Sequence, residues 1–411
     1  MAEKATVAVG PWPKGIDNRS PDYAVAPDAL RNAVDVDLLQ DGRLRRRQGY
    51  ARVVTAIDPH SLYTCPVGTF FVSQNTLYRL NSDDSTTAIL TGLAGRPVTY
   101  EYFNGDVYLS DGIVAKKLVD GTTEVLWGVP TPSSAPLLAA TSGSIAAGSF
   151  VGAVSFVTIS GEESGLSTPA MLTTSATGGV QFLAFPSPPN SAVVSIRLYL
   201  STPGGSVLYH VGDIAVGTTS YTVSTLTDTG KEADLTVYSM PPASNIIRHK
   251  DGRMYCIVDD IVWFTEPFAL GRIKTAHSFW QFPASVTIFE PVEAGVYIVA
   301  DKTYFYRFTD PNEVKVENLF NYGAIPYTAI RLPHGEGVMW QSTRGAIMAD
   351  EGGKVKNIQE DRVATGTADA GAAILREQNG LRQFVAVLSD ARTSSLTATD
   401  FMEAEIIRKG A

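Results

Sequence analysis

Short runs rich in Val, Ile, Thr, Tyr and Phe follow one another along almost the whole chain, each broken by Gly, Pro, Asn or Asp. Runs of that length with that punctuation are strands and turns, so the pattern predicts a mostly β protein. Two stretches carry helical spacing instead. In 27–38, PDALRNAVDVDL, Leu30, Val34 and Leu38 recur at four-residue steps behind Pro27 and Asp28, which predicts a short helix. The second is 367–377, TADAGAAILRE.

The strands are organised by a repeat. Five segments share a glycine, an apolar or aromatic strand, a polar turn and a second strand: Gly68-TFFVSQNTLYRL, Gly105-DVYLSDGIVAKKL, Gly252-RMYCIVDDIVWFTE, Gly295-VYIVADKTYFYRF and Gly337-VMWQSTRGAIMAD. A weaker sixth is Gly380-LRQFVAVLSD. Each reads as a β-hairpin whose tip carries turn residues, such as Gln74-Asn75, Asp111-Gly112 or Asp259-Asp260. Successive glycines stand 37, 147, 43, 42 and 43 residues apart. About 40 residues per unit is the length of a four-stranded propeller blade. The expected fold is therefore a β-propeller-like ring of five or six blades, interrupted once.

The long interval implies an inserted domain of about 107 residues. It starts after the Pro-rich stretch 129–136, VPTPSSAP, and ends at 240–242, MPP. Inside it, short strands such as SIRLYL alternate with period two, and the charge is six acidic residues against Arg197 and Lys231. That size and strand content predict an immunoglobulin-like sandwich. The expected organisation is a docking segment over 1–50, propeller over 51–132, the sandwich over 133–242, propeller again over 243–390 and a tail segment over 391–411.

Composition narrows the class. Hydrophobic residues make up 44% and charged residues 18%, enough apolar surface for real cores and too much for a disordered chain. Two cysteines exclude a disulfide framework and a cysteine zinc site, and buried thiols are expected. The net charge of −9 argues against holding nucleic acid by phosphate contacts, although an acidic wall can stand beside DNA without binding it. The amino terminus lacks a signal-peptide core and no run is long enough to span a bilayer, so no membrane anchor is expected and synthesis in a cytoplasm is.

Catalytic chemistry finds no foothold. The five histidines form no metal-binding pair, and no nucleophile elbow, phosphate loop, sialidase box or WD dipeptide is present. The acidic pairs Glu162-Glu163 and Asp259-Asp260 are adjacent in sequence at turns, where they read as solvated carboxylates and not as the facing pair a glycosidase needs. Asp35, Asp37 and Asp41 have the wrong spacing for a calcium loop. Neither a cofactor nor a metal is expected. The interleaved aromatics, Tyr100, Tyr108, Phe264, Phe305 and Trp340 among them, read as core between blades. The most unusual feature is Arg43, Arg45, Arg46 and Arg47, in a stretch holding five arginines and one aspartate between 41 and 52. Guanidinium groups in a row suit paired hydrogen bonds to carboxylates or phosphates. These four are the candidate partner-docking residues, for an acidic neighbouring subunit or, as a lesser alternative, packaged DNA; the other reading is an edge strand whose charges discourage unwanted pairing.

Two resemblances give the pattern a biological context. VSFVTISGEESGLSTPA, SIRLYLSTPGG and GTTSYTV, within 137–240, are similar to fibronectin type III-like domains of bacteriophage virion proteins. Residues 15–50, GIDNRSPDYAVAPDALRNAVDVDLLQDGRLRRRQGY, resemble the opening of phage tail proteins of the nozzle, or tail tubular B, type, and TDFMEAEIIRKGA resembles their end. The resemblance implies a non-enzymatic virion component of the tail or neck. Such a protein assembles into a ring with copies of itself, meets portal or adaptor-type and other tail proteins, and lies near packaged DNA without binding it. A tail-tip adhesin for host glycan is the alternative, and a propeller glycoside hydrolase a more distant one.

Overall fold

The computed structural model describes residues 10–39, 41–47, 49, 51–227, 230–233, 238–364, 368–378, 381–389 and 401–408. Among them helix is confined to two single 3-10 turns, Asp22–Ala24 and Pro333–Gly335, and nearly everything else that is regular is small antiparallel sheet. The fold is mostly β and propeller-like, with several four-stranded sheets of blade size. The chain divides into two compact units, Ala56–Gln281 and Met1–Thr55 with Phe282–Ala411.

The second unit's amino-terminal part is a two-stranded ribbon, β1 (Val36–Leu38) and β2 (Leu44–Arg46). The first unit then opens with two four-stranded meanders. One is β3 (Pro59–Cys65), β4 (Gly68–Ser73), β5 (Thr76–Leu80) and β6 (Thr86–Thr91). The other is β7 (Thr99–Phe103), β8 (Asp106–Ser110), β9 (Ala115–Val119) and β10 (Thr123–Leu126). They share one core, in which Phe70, Val72 and Leu77 of the first pack with Tyr100, Val107 and Leu109 of the second.

Seven strands follow: β11 (Leu137–Ile145), β12 (Gly148–Thr158), β13 (Ala170–Thr174), β14 (Gly178–Leu183), β15 (Val193–Ser201), β16 (Leu208–Ala215) and β17 (Ser220–Val223). They make a three-stranded sheet, β11-β14-β17, and a four-stranded one, β13-β12-β15-β16. The inner faces meet in a single core that includes Leu138, Phe182 and Val223 on one side and Phe156, Ile196 and Leu198 on the other. This is a sandwich.

The chain returns through β18 (Tyr238–Ser239) to a third meander, β19 (Ile246–Lys250), β20 (Arg253–Val258), β21 (Ile261–Phe264) and β23 (Phe279–Gln281), with β22 (Ile273–Lys274) pairing β18. Although 147 residues separate the repeat glycines Gly105 and Gly252, the second and third meanders are neighbours. Ile247 N–H donates to Thr99 Oγ1 at 3.2 Å, Ser244 N–H to Ser110 Oγ at 2.8 Å, and Trp127 Nε1–H to the Leu270 carbonyl at 2.7 Å. At the root of the insertion Gly128 has φ +90°, and a Cβ there would lie 2.3 Å from the Gly271 carbonyl oxygen, so only glycine fits.

The other unit carries β24 (Ile288–Val292), β25 (Gly295–Val299), β26 (Thr303–Arg307) and β27 (Lys315–Phe320), then β28 (Ile330–Arg331), β29 (Val338–Ser342), β30 (Gly345–Ala349) and β31 (Val355–Asn357), each set a meander. A three-stranded sheet, β32 (Ala370–Gln378), β33 (Leu381–Ser389) and β34 (Phe401–Arg408), completes it. Again the sheets pack in sequence. Tyr297 and Phe305 share a core with Trp340 and Ile347, and Met339 and Ala346 share one with Phe384 and Ala386. The leading strands β24 and β28 are joined by Arg331 Nε donating to Glu290 Oε2 at 2.9 Å. All five glycine-led segments are hairpins. The sixth pairs through β32 and β33, although its own Gly380 lies outside the described residues. Of the tail 391–411 only the strand backbone of β34 is described.

Both helical expectations fail. The segment 27–38 ends in β1, where Leu38 pairs Leu44 and Asp37 pairs Arg45 across the ribbon. Residues 370–378 are β32, in which Ala373 and Leu375 pack on a core while Ile374 stands exposed, a period of two. Helix propensity differs by only tenths of a kcal/mol per residue, and burying one large side chain, at about 1.5–3 kcal/mol, outweighs it.

Candidate functional site

The arginine-rich stretch is the return strand of the β1–β2 ribbon. Asp41 and Gly42 make the turn, with Gly42 at φ +81° and the Arg43 N–H donating to Asp41 Oδ1 at 3.0 Å. That backbone hydrogen bond, helped by the Arg43 side chain, holds the Asp41 carboxyl below its ordinary range. Arg43 is thus engaged in the turn, and its side chain remains 75% exposed. Arg46 lies opposite Val36 and is exposed.

Arg45 and Arg47 turn to the other face, towards Asp37, whose side chain is 1% exposed. Arg376 of β32 reaches the same carboxylate with a forked pair of hydrogen bonds, NH1 to Oδ1 at 3.3 Å and NH2 to Oδ2 at 3.1 Å. Arg45 NH2 stands 3.9 Å and Arg47 Nε 3.6 Å from the carboxylate oxygens, within ion-pair range and beyond hydrogen-bond range. Three guanidinium groups therefore surround one buried carboxylate. Sequence reading singled out Arg45 and Arg47 but not Asp37 as their partner, nor Arg376. Alternation in 370–378, read as a strand, would have placed Arg376 on the face opposite Leu375.

A second polar cluster, also unforeseen, lies on the sandwich. The Arg197 guanidinium donates from Nε and NH2 to Asp213 at 2.9 and 3.1 Å and from NH1 to Glu163 at 2.8 Å. Tyr199 and Ser155 hydroxyls donate to Glu163 at 2.7 and 2.6 Å, and His210 Nε2 lies 2.9 Å from Asp213. The hydrogen bonds from Arg197 hold the Asp213 carboxyl below its usual range, and burial raises the Tyr199 phenol. Glu163 is thus not the solvated turn carboxylate that its position suggested, because a strand-borne arginine captures it. Asp260 accepts a hydrogen bond from Gln281 at 3.2 Å. The two acidic pairs lie on the sandwich and on the β20–β21 turn respectively, each tied to local partners. The cross-strand register Arg197↔Asp213 was the signal for this cluster.

Cys65 and Cys256 are free thiols, and complete burial pushes the Cys256 thiol well above its ordinary value. Among the described residues no three His, Cys, Asp or Glu side chains converge as a metal site, and no helix is long and apolar enough to cross a membrane.

No known family and no curated protein matches the sequence. Among solved structures the chain is similar to BBS1N in complex with ARL6DN (9% identity, TM-score 0.34, covering 88% of this chain and 97% of that one). It is also similar to the N-terminal domain of Nup159 (10% identity, TM-score 0.30, 80% and 72%) and to Saccharomyces cerevisiae Sqt1 (10% identity, TM-score 0.27, 74% and 73%). These are β-propeller domains. Likeness at this level leaves function to be argued from the residues.

Proposed function

We propose that this chain is a structural component of a bacteriophage tail or neck, a nozzle-like subunit that assembles with its own copies and with neighbouring tail proteins. The observation that carries the reading is the bonding of the second meander to the third across the inserted sandwich. A stiff run of face-packed sheets carrying an outlying module is a part suited to scaffolding, since such packing resists deformation. The resemblance of 15–50 to the opening of nozzle proteins supplies the setting. The net charge of −9 fits a subunit past which DNA moves without being trapped. The capture of Glu163 by Arg197, Tyr199 and Ser155 weighs against a glycosidase, whose acid and base must face an open substrate site. The test is mass spectrometry of purified particles, with native mass measurement of the isolated protein. Presence of the chain in the particle together with a closed oligomer supports the proposal, and absence from the particle overturns it.

A further inference from the structure

Two of the three guanidinium groups around Asp37 make no hydrogen bond to its carboxylate. The fork of Arg376 already engages both oxygens of the one carboxylate. Arg45 and Arg47 remain at 3.9 and 3.6 Å, within ion-pair range of that carboxylate and beyond hydrogen-bond range. Moreover, the Nε–H groups of Arg45 and Arg47 are shielded from solvent and have no hydrogen-bond acceptor among the described residues. A buried donor without an acceptor is unfavourable, and an anion that supplies the acceptor relieves that cost. Burial is graded, from 36% side-chain exposure at Arg45 through 23% at Arg47 to 14% at Arg376, so the cluster opens to solvent at one end.

We infer that Arg45 and Arg47 form a docking notch for a carboxylate side chain from an acidic segment of a partner protein. This rests on the reading of the chain as an assembly component and names the chemistry of one of its contacts. A carboxylate entering the notch accepts from both guanidinium groups, the paired geometry that arginine favours. Nucleic acid fits less well. A duplex carries a charge every ~1.7 Å and meets the field of the whole acidic molecule, whereas one side chain responds to charges within a Debye length of ~8 Å.

The test is fluorescence anisotropy of a labelled, capped hexaglutamate peptide titrated with the full chain at low and high salt. Unlabelled inorganic phosphate and a short DNA duplex serve as competitors. The expected result is salt-sensitive peptide binding, weakened about tenfold or more by Arg47→Gln or Arg45→Gln, a change equivalent to about 1.4 kcal/mol. Arg43→Gln, which alters only the turn, changes it less than about twofold. Arg47→Lys keeps the charge beside Asp37 and loses the planar guanidinium, so it preserves the fold, checked by thermal melting, while still weakening binding several-fold. Peptide binding that is absent, or indifferent to Arg45 and Arg47, overturns the assignment, as does a clear preference of the notch for duplex or phosphate over peptide. A chain found in particles that ignores the peptide loses the notch and keeps the assembly reading. One that binds the peptide through these arginines but is missing from particles does the reverse.

Discussion

At Trp340 the ring is fully buried against Tyr297, and its indole N–H has no hydrogen-bond partner among the described residues. Two effects then oppose each other on substitution. Trp340→Ala empties the core shared by the β24–β27 and β28–β31 sheets and should lower unfolding free energy by about 3–5 kcal/mol. Trp340→Phe keeps most of the ring and removes an unpaired buried donor, so denaturant melts should show less than about half that loss. His60 gives a pH signature. Burial depresses its pKa below the ordinary 6.5, so the unfolded chain binds the extra proton first. Stability is therefore lost as pH falls through 6.5 towards the folded value, and is regained on the alkaline side. Melting His60→Gln alongside the parent from pH 8 to 5 should show a flatter profile in the variant. At this scale the sequence was partly legible. Arg45 and Arg47 stood out because arginine is dense there, whereas Arg376, 339 residues from Asp37, carried no local mark of its role.

Among the elements, hairpins were the most legible because their tips announce themselves. Gln74 and Asp259 adopt φ of 53° and 50°, a left-handed conformation that polar turn residues tolerate better than branched ones. The segments 27–38 and 367–377 suggest helix because apolar residues at four-residue steps also satisfy an alternating pattern, and only their packing partners decide between the two. Within the sandwich, Arg197 joins β15 to β16 and to the loop after β12. Arg197→Met strips Glu163 and Asp213 of their cation and should cost about 1–2 kcal/mol, the low part of the range for charged hydrogen bonds because the guanidinium is 30% exposed. The pH window of this cluster differs from that of His60. Because the folded Asp213 carboxyl titrates below 3.8, its contribution is complete above that value and is lost as pH falls further. Melts carried from pH 5 down to pH 3 should therefore show the difference between Arg197→Met and the parent shrinking at the acid end.

Over the whole molecule, the forty-residue beat was legible because each blade-sized sheet is assembled from residues close in sequence. The insertion was legible because it interrupts that beat once. What could not be read was which sheets touch, since contacts such as Thr99 with Ile247 join residues separated by the entire sandwich. The account rests on that continuity. The most direct test replaces residues 133–242 with a short Gly-Ser linker and follows the remaining chain by circular dichroism and thermal melting. Continuity predicts a β spectrum and cooperative unfolding of the unit that held the sandwich, because the second and third meanders still meet through Thr99, Ser110 and Trp127. A shortened chain that unfolds without cooperativity, or that never acquires β structure, would contradict it.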